Sequence, residues 1–155
     1  MSDTLSKPTA AEPGPARPSL TIKRRFKAAP ARVFAAWTDP EKMSRWLGPP
    51  DVLKVEAKTD LRIGGRYHIR MVLANDEHNV IGVYREIVPN EKIVFTWAWI
   101  STPERESLVT VTIKPDGDGS IMTLHHEQFF DEAAHDNHNK GWTVIVERLG
   151  QMLEA

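Results

Sequence analysis

Apolar positions alternate with polar ones in the first ordered-looking stretch of the chain, then switch to helical spacing, then return to alternation for most of its length. Leu20, Ile22 and Phe26 alternate with Thr21, Lys23 and Arg25, which predicts a strand ending before Pro30. From Pro30 to Thr38, Val33, Phe34 and Trp37 recur at helical spacing, and proline is tolerated in a first turn, where its missing N–H costs nothing. Asp39-Pro40 interrupts that helix. Asp39 is placed to cap a second short helix carrying Met43, Trp46 and Leu47, which Gly48-Pro49-Pro50 stops. A period of two then predicts strands near 52–58, 65–74, 79–88, 91–101, 107–115 and 120–129. Between them lie turn sequences such as Gly64-Gly65, Asn75-Asp76, Pro89-Asn90 and Asp116-Gly117-Asp118-Gly119.

The strands share one apolar face. Tyr67, Ile69 and Met71 fall on one parity; so do Ile93, Phe95, Trp97 and Trp99, then Val109, Val111 and Ile113, then Met122, Leu124 and His126. From Asp131 to Ala155 a stripe of His138, Gly141, Trp142, Ile145, Leu149 and Met152 predicts a long amphipathic helix capped by Asp131. An antiparallel meander with one apolar face needs a cover, and this helix is the one element long enough. The expected class is therefore α+β, a curved antiparallel sheet with a long C-terminal helix over it and two short helices after the first strand.

Composition narrows the function classes. The chain has 155 residues, enough for one domain of ordinary size. Pro8, Pro13, Pro15 and Pro18 mark residues 1–18 as a disordered tail and leave 19–155 as a single domain. The chain contains no cysteine, which excludes a disulfide framework, a cysteine zinc site and a thiol nucleophile. A net charge of −1, with both signs interspersed, offers no basic groove for nucleic acid. There is no apolar run long enough for a membrane span or a secretory signal, so the cytoplasm is the expected compartment.

Five tryptophans are many for this length, and aromatic walls suit an apolar ligand. Trp37 and Trp46 read as core, whereas Trp97 and Trp99 share the strand face that a cavity would use. The expected ligand-binding set is Tyr67, Ile69, Met71, Phe95, Trp97, Trp99, His126, Trp142 and Ile145, with no catalytic residue, metal or cofactor assigned. His126 continues an apolar face, so its imidazole must find a partner, as a structural group, a ligand-orienting donor or a general base. Glu127 and His125 lie on the opposite parity, and Arg66, His68 and Arg70 read as a solvated outer face. His125, His126, His135 and His138 could be considered for zinc, but adjacent strand residues point to opposite faces and no ligand spacing is completed. Phosphate loops, dinucleotide fingerprints and nucleophile elbows are missing from the sequence.

The runs AWTDPEKMSRWLGP (36–49), GGRYHIRM (64–71), GVYREIVPNEKIVFTWAW (82–99), ESLVTVTI (106–113) and TLHHEQF (123–129), followed by Gly141-Trp142, occur in one order. Together, over residues 20–153, they resemble the single-domain proteins of the Hsp90-ATPase-activator-homologue (AHSA1-like) type, within the START-like or Bet v 1-like superfamily. That resemblance implies a helix-grip fold enclosing a cavity. Superfamily relatives bind lipids, sterols, polyketides or flavonoid-like aromatics, and a minority cyclise or dehydrate them. The eukaryotic co-chaperone behind the family's name uses a further Hsp90-binding domain where this sequence has a proline-rich tail, which argues against an Hsp90-type partner. The leading expectation is a binder of a small hydrophobic molecule. The alternatives are a cyclase-, dehydratase- or hydrolase-type enzyme using His126 and Tyr67, and a chaperone- or stress-related interaction protein.

Overall fold

The computed structural model describes residues 17–155, so most of the expected disordered tail lies outside the described residues. The chain runs β1 (Leu20–Phe26), α1 (Pro30–Thr38), α2 (Pro40–Trp46), β2 (Lys54–Thr59), β3 (Arg66–Val72), β4 (Glu77–Val88), β5 (Lys92–Trp99), β6 (Ser107–Asp116), β7 (Gly119–Glu127) and α3 (Glu132–Leu153). The element order is the one the periodicity predicts.

Local chemistry sets the boundaries. Asp39 ends α1 by giving its N–H to the Ala35 carbonyl and starts α2 by accepting the Glu41 N–H on its carboxylate. Gly48, at φ 100°, lets the chain turn away after α2. Asp131 caps α3 through the Ala134 N–H at 2.9 Å. Left-handed Asn90 and Gly117 turn the β4–β5 and β6–β7 hairpins.

The seven strands form one antiparallel sheet in the order β1-β7-β6-β5-β4-β3-β2. Strands β2 to β7 are a meander, and β1 adds to the far edge beside β7, pairing Leu20 with His126 and Phe26 with Ser120. The β4–β5 register shifts between Tyr84 and Glu86, a bulge that leaves Arg85 unpaired and bends the sheet. Gly82 lies opposite Tyr67. A Cβ there would strike the Tyr67 ring and the Thr96 carbonyl, so only glycine lets the phenol cross β4 to donate to Thr96 on β5.

The apolar parity faces inward: Ile69, Val80, Ile93, Val109, Val111, Met122 and Leu124 are all buried in one core. Helices α1 and α2 close one end of it, with Trp37 edge-on to Trp46 at 4.6 Å. The expected stripe on α3 needs correction. The residues that seat this helix are Trp142, Val146, Leu149, Gly150 and Leu153, all from its midpoint onward. His138, Gly141, Ile145 and Met152 are only half-buried on the flank of that seam. Arg24 rises from β1 against Gly150, where a Cβ would meet its guanidinium, and pairs with Glu147 at 3.2 Å. Arg148 anchors the same half of α3 to the end of α2, donating to the Gly48 carbonyl at 2.7 Å.

Candidate functional site

The first half of α3 meets the sheet through His138, whose Nε2 accepts the Trp97 indole N–H at 3.2 Å. Between it, the ends of β3 to β5 and the β5–β6 loop lies a cleft of about 800 Å³, half open to solvent. No residue of α3 before Trp142 is buried, so this stretch acts as a wall rather than as core.

Of the nine expected ligand-binding residues, Met71, Trp97, Trp99, Trp142 and Ile145 line the cleft. Trp97 packs on Trp142 at 5.2 Å and on Trp99 at 6.0 Å, making a continuous aromatic floor. Ile69, Phe95 and His126 lie in the core layer beneath it, 2 %, 5 % and 0 % exposed. Tyr67 touches a different hollow, of about 570 Å³, beside Lys58 and Pro103.

His126 is bound on both ring nitrogens. The Trp142 indole N–H donates to Nδ1 at 2.9 Å, which puts the ring proton on Nε2, facing Ser107 Oγ at 2.7 Å. Ser107 in turn reaches the Trp97 carbonyl at 3.2 Å. Burial, with smaller contributions from nearby His138 and His125, pushes the His126 pKa down to about 2. The imidazole is therefore a neutral joint between β7, β6 and α3. Neither it nor the Tyr67 hydroxyl, engaged by Thr96, offers the cleft a free proton-transfer group.

His138 does line the cleft. Its Nδ1 donates to the Ala134 carbonyl at 2.8 Å, and its Nε2 accepts the Trp97 indole N–H at 3.2 Å. Burial lowers its pKa against the opposing effect of the Ala134 bond. His125 turns outward, as parity requires, to Thr21 at 2.9 Å and Glu127 at 3.7 Å. His126 and His138 are ring neighbours at 5.1 Å, but the four histidines do not converge on one point. Among the described residues the group able to share an ion is exposed Glu132, half-buried His135 and exposed Asp136 at the start of α3. Arg70, on the outer face as expected, pairs with Glu56 at 2.6 Å and Glu77 at 2.9 Å.

Residues that the alternation could not reveal complete the site. Ile100, Phe130 and Val144 stand at its mouth with 53 %, 50 % and 42 % of their surface exposed, beside Phe129, Arg105 and Lys140. Ile100 and the Phe129-Phe130 pair follow the ends of strands, where the period of two has stopped. The available clue was two adjacent aromatics directly before a helix cap.

Residues 27–154 match the family described as activator of Hsp90 ATPase homolog 1-like protein. The fold is close to several crystal structures. A Chromobacterium violaceum protein superposes with a TM-score of 0.79 at 26% identity, covering 88% of this chain and 97% of that one. The AHSA1 protein of Silicibacter pomeroyi gives 0.76 at 29% identity, covering 88% and 97%. A Rhizobium loti protein gives 0.73 at 30% identity, covering 87% and 96%. No curated protein matches the sequence. With the helix-grip sheet, the two short closing helices and the long C-terminal helix all in place, the chain belongs to the AHSA1-like family of START-like, Bet v 1-like proteins.

Proposed function

We propose that this protein binds a small, largely apolar molecule in the cleft between the ends of β3 to β5 and the first half of α3. The observation that carries this reading is the cleft itself: about 800 Å³, floored by Trp97, Trp99 and Trp142 and open to solvent beside the first half of α3. That volume falls within the roughly 300–1,000 Å³ usual for small-molecule sites. The Trp97 and Trp142 indole N–H groups are already paired with His138 and His126, so an apolar guest covering them leaves neither unsatisfied.

An amide NMR titration with lipids, sterols and flavonoid-like aromatics tests the reading. Saturable shifts at Met71, Trp99, Trp142 and Ile145, weakened about tenfold or more by Trp99→Ala, are expected, since a stacked aromatic contact carries on the order of 1–2 kcal/mol. Shifts nowhere, or only outside the cleft, would remove it. A second reading, an Hsp90-type partner, is favoured by the family description and by exposed Leu53, Leu61 and Ile63. It predicts retention on an immobilised Hsp90 homologue, and no retention ends it.

A further inference from the structure

The rim of the cleft carries a charge pattern that its floor does not. Four residues lining it bear full charges: Arg105 and Lys140 are cationic, Glu77 and Asp131 anionic. Both anions are occupied. Glu77 accepts from Arg70 at 2.9 Å and from the Asn79 side chain at 2.9 Å, and Arg70 holds its carboxyl below the usual range. Asp131 is spent on the α3 cap. Of the two histidines on the lining, His138 has its pKa lowered by burial, and His78 lies 3.6 Å from the Asp76 carboxylate.

The cations differ. Among the described residues neither Arg105 nor Lys140 has a carboxylate within salt-bridge distance. Arg105 is nonetheless held in place, its guanidinium carbon 3.9 Å from the centre of the Phe130 ring. Stacking covers the flat face of a guanidinium and leaves the N–H groups around its edge, the fork that fits a carboxylate. A cation already fixed by an aromatic loses less freedom on meeting an anion than a freely rotating one.

We propose that the molecule taken by this cleft is a free amphipathic acid, with an apolar or aromatic body on Trp97, Trp99 and Trp142 and one carboxylate held by Arg105 and Lys140. This rests on the reading of the cleft as a ligand site and adds the head group to it. The floor, with the Trp97 and Trp142 indole N–H groups already bonded inside the chain, selects the body; the rim selects the charge.

The test compares decanoate with 1-decanol, which share a chain and differ in the head, by amide NMR titration of the full-length protein at low ionic strength. Decanoate is expected to bind about tenfold tighter, with shifts confined to the cleft, and the advantage should shrink at about 0.5 M salt. Arg105→Gln and Lys140→Gln should each weaken decanoate about fivefold and decanol by much less, so that the preference for the acid falls. Both side chains are exposed, so the variants keep the wild-type amide spectrum. Equal affinity for acid and alcohol overturns the carboxylate assignment while the apolar-ligand reading stands. Binding of neither overturns both. Sedimentation with phosphatidylglycerol vesicles without binding of monomeric decanoate overturns the free acid in favour of a lipid surface.

Discussion

A histidine that receives an indole N–H on one nitrogen and offers its own proton to a hydroxyl on the other has no room for a second proton. His126 is in that position, and its neutrality has a measurable cost in acid. In the unfolded chain the imidazole titrates near 6.5; in the fold its pKa is pushed down to about 2. Between those values the unfolded state takes up a proton that the folded state refuses. The stability it secures is therefore fully present above about pH 6.5 and declines by about 1.4 kcal/mol per pH unit as pH falls below that. His138, shifted the same way, adds to the slope. Urea unfolding at pH 7.5 and 5.0 should show a fall of about 2 kcal/mol attributable to His126. In His126→Phe that fall should largely vanish, while stability at pH 7.5 drops by about 2–4 kcal/mol because Trp142 and Ser107 lose their partner. An unchanged pH dependence in the variant would show that this imidazole is not the group responsible. Strand parity alone put His126 on the buried face, and burial alone demanded partners for it. Which partners was hidden, because Ser107 and Trp142 come from β6 and α3, and no short-range pattern relates them to β7.

Elements were legible wherever one face was polar. β3, β6 and β7 alternate cleanly, and their inward residues are the ones the alternation selects; β5 is buried on both faces from Ile93 to Ala98. β4 is apolar on both sides, so its sequence left open which way Glu86 points; the bulge after Tyr84 resets the parity and turns Glu86 outward, to Lys92 at 3.2 Å. α3 is the instructive case. Its apolar stripe is continuous in sequence, yet the helix divides its apolar residues between two purposes: Val146, Leu149 and Leu153 enter the core, while Ala134, His138 and Ile145 line the cleft. Periodicity reports that a face avoids water and is silent on whether protein or ligand covers it. The two halves should differ in stability. Hydrogen exchange of residues 132–141 should be at least about tenfold faster than of 142–153, since few buried contacts hold the first half, and bound ligand should slow the first half selectively. Uniform protection along α3 would mean that the wall is as rigid as the anchor.

At the scale of the whole molecule, hairpin turns made the β2-to-β7 meander readable, but not the return of β1 to the β7 edge. That pairing spans nearly the entire chain, from Leu20 to His126, and it came only with the resemblance to a helix-grip family. The same long-range closure gathers all five tryptophans, which sequence separates by up to a hundred residues, into one line. Trp46 touches Trp37 at 4.6 Å, Trp37 lies 5.8 Å from Trp142, Trp142 5.2 Å from Trp97, and Trp97 6.0 Å from Trp99. Indoles this close exchange excitation far faster than they emit, so light absorbed beside the closing helices is shared with the ring at the mouth of the cleft. A quencher or guest seated against Trp99 should therefore dim more than one-fifth of the fluorescence, and Trp99→Phe should blunt that response without abolishing the emission of the other four. The protein carries an optical antenna that ends at the mouth of its cleft.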